Sequence, residues 1–414
     1  MARNEYRYGM PTLIGTNVRG SNLALFDLHN ANRNNEPPLT LFTGKPGSGK
    51  TFSMLWILSQ AALQGAAVVG IDWKGDLLQI REIRDVFGVE TKTIRVDPKD
   101  PANRGILDPF VVFDNSENKE EAHADIVNAV HAVCHALLPN SLKNHTISAF
   151  VDSAINDVIR GYGDEKSMPV FIRRLENVSR QTDNNDLTAF ALALRNKLRG
   201  SGVLLSAEPD GERDNYFEFK PGVTVIDLSN LPELPQTIEE LKNPSKAVGQ
   251  AILTMITLLV RQSMFRMPKN IRKVLAIDEA WSILANPAGL ELVKSTVRLG
   301  RSLNLAVVLG TQSYADVFAG AAELDTSFAS THFAFGNSKK DGFLGATAMG
   351  LEGETAEQVA SAISVLEQGN CIMHDIRKRT GQVRIQVWLQ ELIDAFSSNP
   401  YDTKNTQPAP GEPH

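Results

Sequence analysis

The chain has 414 residues, 42% of them hydrophobic and 22% charged, with a formal net charge of -6, enough for one large α/β domain with an insertion, or for two domains. The negative charge argues against a surface built for non-specific DNA binding, and nucleic acid is not implied by charge, although a local basic lining stays open. The two cysteines, Cys134 and Cys371, lack C-x-x-C spacing, residues 1–13 carry no apolar signal core and no run of 18 apolar residues occurs, so the expectation is a cytosolic chain without disulfides, zinc knuckle or membrane span of its own.

Residues 1–37 read as a polar lead-in with one strand candidate at 22–28 (NLALFDL), forming an edge hairpin. A first core part is expected at 38–117. There a buried strand at 38–43 runs into LFTGKPGSGKTFSML (41–55), and Gly44, Gly49, Lys50 and Thr51 fit the phosphate-loop pattern G-x-x-x-x-G-K-[ST]. Gly44, Gly47 and Gly49 let the backbone approach an anion with its N–H groups turned inward. The helix expected from Lys50 adds its N-terminal partial positive charge. Gly44, Lys45, Pro46, Gly47, Ser48, Gly49, Lys50, Thr51 and Phe52 are therefore the candidate nucleotide-binding residues. Lys50 would reach the β and γ phosphates, and the Thr51 hydroxyl would ligate Mg2+.

A second buried strand, 66–71, ends in the turn DWKGD (72–76). Ligands collect at the carboxyl ends of strands in open α/β sheets, so this turn is expected near the nucleotide or at a subunit boundary, unless it is a plain polar turn. A third strand is expected at 91–96, and GILDPF (105–110) as a turn to the edge of the sheet.

From 118 to 205 apolar residues recur at helical spacing (Ile126, Val127, Val130, Val133 and Leu137; later Phe150, Ala154, Ile155 and Val158), which predicts an all-α insertion. His131 and His135, four apart, could share a metal, but no glutamate stands between them as a hydrolytic zinc helix requires. They read as core or solvated histidines.

A second core part is expected at 206–397, with strands at 222–228, 273–279, 305–311, 332–335, 369–375 and 382–388 and an apolar helix at 245–267. Residues 398–414 have the composition of a disordered tail. KVLAIDE (273–279) is a buried strand whose end presents two carboxylates. Alternation along a strand sends them to opposite faces and gives them separate roles. Asp278 would hold Mg2+ together with Thr51, and Glu279 would orient and deprotonate the attacking water. Gln312, just after LAVVLGT, is placed to hydrogen-bond the γ phosphate or that water. Arg301, between those strands, could reach the phosphates of a neighbouring subunit, with Arg298 as its competitor.

Taken together, GKPGSGKT, VLAIDEAW, an arginine-bearing helix ending in GRSLNL, LGTQS, and the closing pattern GNCIMHDIRKRTGQVRI resemble the HerA/FtsK superfamily of RecA-like ring ATPases. Within it they resemble the assembly ATPases of type IV secretion and conjugative transfer systems, the TraC/TrbE-like group of VirB-type ATPases. The resemblance spans 22–392. It implies an α/β RecA-like P-loop core, ATP and Mg2+ as ligands, and a hexameric ring docked on membrane-associated secretion channel proteins at the inner face of the bacterial cell membrane. It assigns Lys50 and Thr51 to the phosphate loop, Asp278 and Glu279 to the second acidic motif, Gln312 to the glutamine motif and Arg301 to the arginine used in trans. Such ATPases carry a sizeable N-terminal domain, whereas residues 1–37 alone precede the first core strand here: an excised domain or a compact relative. Two other readings stand beside it: a DNA translocase or coupling protein, and a nucleotide-gated scaffold with negligible hydrolysis.

Overall fold

The computed structural model describes residues 10–397 except 21, 115–117, 140–141, 143–144, 209–216, 232–242 and 319–323. The expected tail at 398–414 and the first nine residues of the lead-in lie outside the described residues.

The strands are β1 Thr12–Asn17, β2 Leu23–Phe26, β3 Leu39–Thr43, β4 Ala67–Asp72, β5 Thr91–Arg95, β6 Gly222–Asp227, β7 Lys273–Ile277, β8 Leu305–Thr311, β9 Ala329–Phe335, β10 Asn370–His374 and β11 Thr380–Ile385. They join in one sheet in the order β2-β1-β11-β10-β9-β3-β8-β7-β4-β6-β5. From β9 to β5 every pairing is parallel, while β10, β11, β1 and β2 extend one side as antiparallel strands.

The central strands are near-continuous apolar runs because helices cover both faces of a parallel sheet. Alternation sends Leu39, Leu41, Ile71, Ile277 and Leu309 into one core, and Phe42, Val68, Ala276 and Val308 into the other. The helices Lys119–Leu137, His145–Gly161, Met168–Thr182, Asn185–Leu198, Pro244–Arg266 and Pro287–Leu303 contribute to the first core. The helices Lys50–Leu63 and Gln390–Phe396 contribute to the second. The described part of 118–205 is thus helical, and its apolar face is continuous with the core under the sheet.

Asp108 ties these parts together. Fully buried, it accepts hydrogen bonds from the backbone N–H groups of Phe110 (3.0 Å), Met168 (2.8 Å) and Ala207 (2.9 Å). GILDPF therefore does more than turn the chain: it anchors the start of the helix Met168–Thr182. The helix Pro244–Arg266 is long and apolar enough to cross a membrane by length and composition, but 67% of the qualifying window is buried, as expected of a core helix. The N-terminal hairpin includes β1, which the sequence reading did not find: TLIGTN is short and its register slips at Gly15, which erases the period-2 signal. Strand β9 also starts three residues earlier than expected, at Ala329.

Candidate active site

The parallel register aligns the carboxyl ends of β3, β8, β7 and β4, so the segments that follow them, 44–51, 312, 278–279 and 72–76, meet at one rim. The Gly44 N–H donates to the Thr311 carbonyl (3.3 Å) and the Lys45 N–H to that of Gly336 (3.1 Å), which fixes the loop against its neighbours. Gly47 and Gly49 have φ of 76° and 98°, conformations that L side chains rarely adopt. Lys45, Pro46 and Gly47 form the exposed crest of the loop, and Phe52 packs edge-on against Phe396, ring centroids 6.1 Å apart. The helix Lys50–Leu63 starts with no acidic residue in its first turn, so no side chain there offsets its N-terminal partial charge. Inside the cradle the Ser48 hydroxyl is buried without a hydrogen-bond partner. A polar atom short of a partner, beside a lysine and a helix N-terminus, fits a phosphate oxygen.

Lys50 is buried and its ammonium lies 2.5 Å from Asp278 Oδ1. The Thr51 hydroxyl donates to Asp278 Oδ2 at 3.0 Å. A hydroxyl and a carboxylate oxygen in contact are a hard-oxygen donor pair of the kind Mg2+ takes. Room for Asp278 comes from Gly310 on β8: a Cβ there would lie 2.5 Å from Asp278 Oδ1 and 2.6 Å from Met54 Sδ.

The expectation that Asp278 and Glu279 face opposite sides is corrected. Strand β7 ends at Ile277, and Glu279 takes left-handed φ and ψ of 52° and 50°, so strand alternation no longer applies. Both carboxylates turn toward Lys50, Glu279 Oε1 standing 4.0 Å from its ammonium. Around Glu279 the Lys74 ammonium donates to Oε1 (2.7 Å), the Trp281 indole N–H to Oε2 (2.8 Å), and the Gln312 amide to both oxygens (3.2 and 3.3 Å). Burial opposes the Glu279 charge, but the Lys74 hydrogen bond, the Lys50 charge and the bonds from Gln312 and Trp281 outweigh it and hold its pKa below that of an ordinary glutamate.

The DWKGD turn thus meets the phosphate loop's partners. Its first residue, Asp72, is fully buried and accepts from the N–H groups of Lys74 (3.2 Å), Gly75 (2.9 Å) and Leu77 (2.7 Å). Burial nevertheless pushes its pKa up to about 6, with the Asp278 charge adding to the shift. Asp76 is raised too, by burial and then by Asp278.

Gln312 sits in a braced loop. Its carbonyl accepts from the Asn337 amide (2.8 Å), which also donates to Asp341 (2.7 Å); Asp341 in turn takes the Ser313 hydroxyl and the Tyr314 N–H. The sequence reading missed Asn337 and Asp341, and no motif could have flagged them, since their link to Gln312 exists only in the fold. Lys74 lies inside the DWKGD turn, whose place at a strand end is the sequence signal for it.

Arg301 and Arg298 are not brought to this site within the chain. Both lie in the last turns of the helix Pro287–Leu303, which returns to the start of β8, at the opposite end of the parallel strands from the phosphate loop. The Arg301 guanidinium is exposed and donates to the Asn35 carbonyl at 3.4 Å. In the helical region the His131 Nε2 lies 2.7 Å from Asp152 Oδ1, and His123 meets Asn156. Among the described residues no group of three or more His, Cys, Asp or Glu gathers as a metal site.

A family model described as an AAA-like domain matches residues 22–396. The Bacillus subtilis (strain 168) protein YddE, itself uncharacterized, is 22% identical over 378 residues, 87% of this chain and 43% of YddE, so the chain spans less than half of that relative. Among solved structures, VirB4 of Thermoanaerobacter pseudethanolicus superposes with a TM-score of 0.66 at 16% identity, covering 93% of this chain and 98% of that one. The plasmid coupling protein TrwB in complex with ADP and Mg2+ gives 0.54 at 17%, covering 94% and 92%. Both likenesses are of fold: a RecA-like P-loop α/β architecture. With a match that runs over most of its length, the chain belongs to the AAA-like domain family.

Proposed function

We propose that the chain is a Mg2+-dependent ATP hydrolase that powers assembly of, or substrate transfer through, a type IV secretion or conjugation apparatus. The observation that carries this reading is the convergence of Lys50, Thr51, Asp278, Glu279 and Gln312 at one rim, in a fold shared with VirB4. In it, the loop amides and Lys50 bind the β and γ phosphates. Thr51 and Asp278 would hold Mg2+, which when bound neutralises charge on the phosphate oxygens. Gln312 orients the attacking water and Glu279 takes its proton. Arg301 belongs to the part of the reading that needs a second copy. Exposed and remote from its own phosphate loop, it acts across a subunit boundary in a hexameric ring at the cytoplasmic face of the membrane, docked on secretion channel proteins.

The likeness of fold to the coupling protein TrwB favours a second reading, a motor that moves DNA. Steady-state ATP turnover against protein concentration, with and without single- and double-stranded DNA, separates the two. Turnover per chain that rises with concentration, ignores DNA and falls at least about tenfold in Arg301→Ala supports the secretion ATPase completed across subunits. Strong stimulation by DNA supports the translocase, and turnover independent of concentration and unaffected in Arg301→Ala contradicts the trans role.

A further inference from the structure

The two carboxylate oxygens of Glu279 each accept hydrogen bonds from two side chains. Oε1 receives Lys74 and Gln312, and Oε2 receives Trp281 and Gln312. A carboxylate so engaged must release a donor before it can accept a proton from water. The donors differ in how freely they leave. Trp281 sits on the helix Ala280–Leu284, directly after Glu279. The Gln312 main chain is held at its carbonyl by Asn337, which also donates to Asp341, so its short side chain reaches Glu279 from a fixed base. Lys74 is the long, flexible one: 45% of its side chain is exposed, while the Glu279 side chain beneath it is 6% exposed. Its backbone cannot drift, because Asp72 holds the Lys74, Gly75 and Leu77 amides and Gly75 closes the turn with φ of 88°. Only the Lys74 side chain needs to turn outward for the contact to open.

We propose that Lys74 is a releasable restraint, a positioning residue that holds Glu279 away from its water-activating role until the ammonium swings out of the site. This rests on the hydrolase reading above. It adds to that reading a residue that slows turnover in the resting chain, carried by a surface turn and separate from phosphate binding. Because the Lys74 side chain is half-exposed, its hold on Glu279 is moderate, and its removal releases turnover roughly two- to fivefold.

The test measures kcat and KM for MgATP in the full chain and in Lys74→Met and Lys74→Arg, together with Trp281 emission without nucleotide. That emission is taken as the difference between each protein and its Trp281→Phe counterpart. The proposal expects kcat to rise about two- to fivefold in Lys74→Met with KM within about twofold of the parent. The charge-keeping Lys74→Arg should return kcat toward the parent value. Trp281 emission should shift in Lys74→Met and not in Lys74→Arg, since Glu279 changes its hold on the indole N–H when the ammonium is gone. A kcat that falls or stays level in Lys74→Met, or a change in KM alone, overturns the proposal. If the parent shows no turnover that depends on Glu279, the hydrolase reading has failed and the restraint fails with it; Glu279-dependent turnover in the parent with kcat level or lower in Lys74→Met overturns the restraint alone.

Discussion

Single atoms decide what this rim can hold. At Gly310 a methyl group would stand 2.5 Å from the Asp278 carboxylate and 2.6 Å from Met54 Sδ, a spacing that forces one of them to move. Gly310→Ala is therefore expected to lose at least about tenfold in kcat and to cost about 1–3 kcal/mol of stability by overpacking, read by turnover and by thermal melting. Asp278 carries the larger effect, because two donors depend on it: the Lys50 ammonium and the Thr51 hydroxyl. Much of this chemistry was legible in the residues themselves, since G-x-x-x-x-G-K-[ST] fixes the spacing of the donors before any fold is known. The direction of Glu279 was not legible. Its left-handed backbone follows from how β7 ends, and a rule about strand alternation cannot see past the end of the strand.

At the scale of elements, buried hydrogen bonds tie the segment that follows β5 to the helix Met168–Thr182 and to Ala207. Asp108→Ala would leave the amides of Phe110, Met168 and Ala207 without that acceptor, and is expected to cost about 3 kcal/mol or more, measured by denaturant unfolding. The sequence disclosed the central parallel strands well because they are apolar runs bounded by turn residues, and LAVVLGT was located to the residue. It disclosed the antiparallel extension poorly. Strand β1 pairs with β11, far along the chain, and the two are joined by register rather than by any local pattern. The brace from Asp341 to the Gln312 loop was invisible for the same reason: the residues meet only once β8 and β9 flank β3.

Over the whole molecule, buried histidines set how stability responds to acid. Burial lowers His332 to about 3, helped by the nearby His374, and lowers His29 to about 4 against the Lys273 carbonyl and Asp27, which raise it. Unfolded, both titrate near pH 6.5. Between those values the unfolded chain binds more protons, so their contribution is complete above about pH 6.5 and is lost as pH falls toward 4. Asp72 works the other way: burial lifts its folded pKa to about 6, above the ordinary 3.8, so its contribution is present below 3.8 and is lost as pH rises through 6. His374, lowered by burial, sides with the two histidines, and Asp76, Asp125 and Asp341, raised by burial, side with Asp72; the large downward shifts of His332 and His29 give a net loss in acid. The melting temperature is expected to fall by roughly 3 °C or more between pH 7 and pH 5, and to fall less in His332→Phe.

In the proposed reading Glu279 activates water at a nucleotide site built on Lys50 and Asp278. Its most direct test compares steady-state MgATP turnover in the parent chain and in Glu279→Gln, with binding of a fluorescent ATP analogue measured on both. The substitution keeps the size of the side chain and removes the base, so turnover should fall by about a hundredfold or more while nucleotide affinity stays within about threefold of the parent. Turnover unchanged in Glu279→Gln, with nucleotide still bound, would contradict the account and leave a chain that binds nucleotide without using this carboxylate.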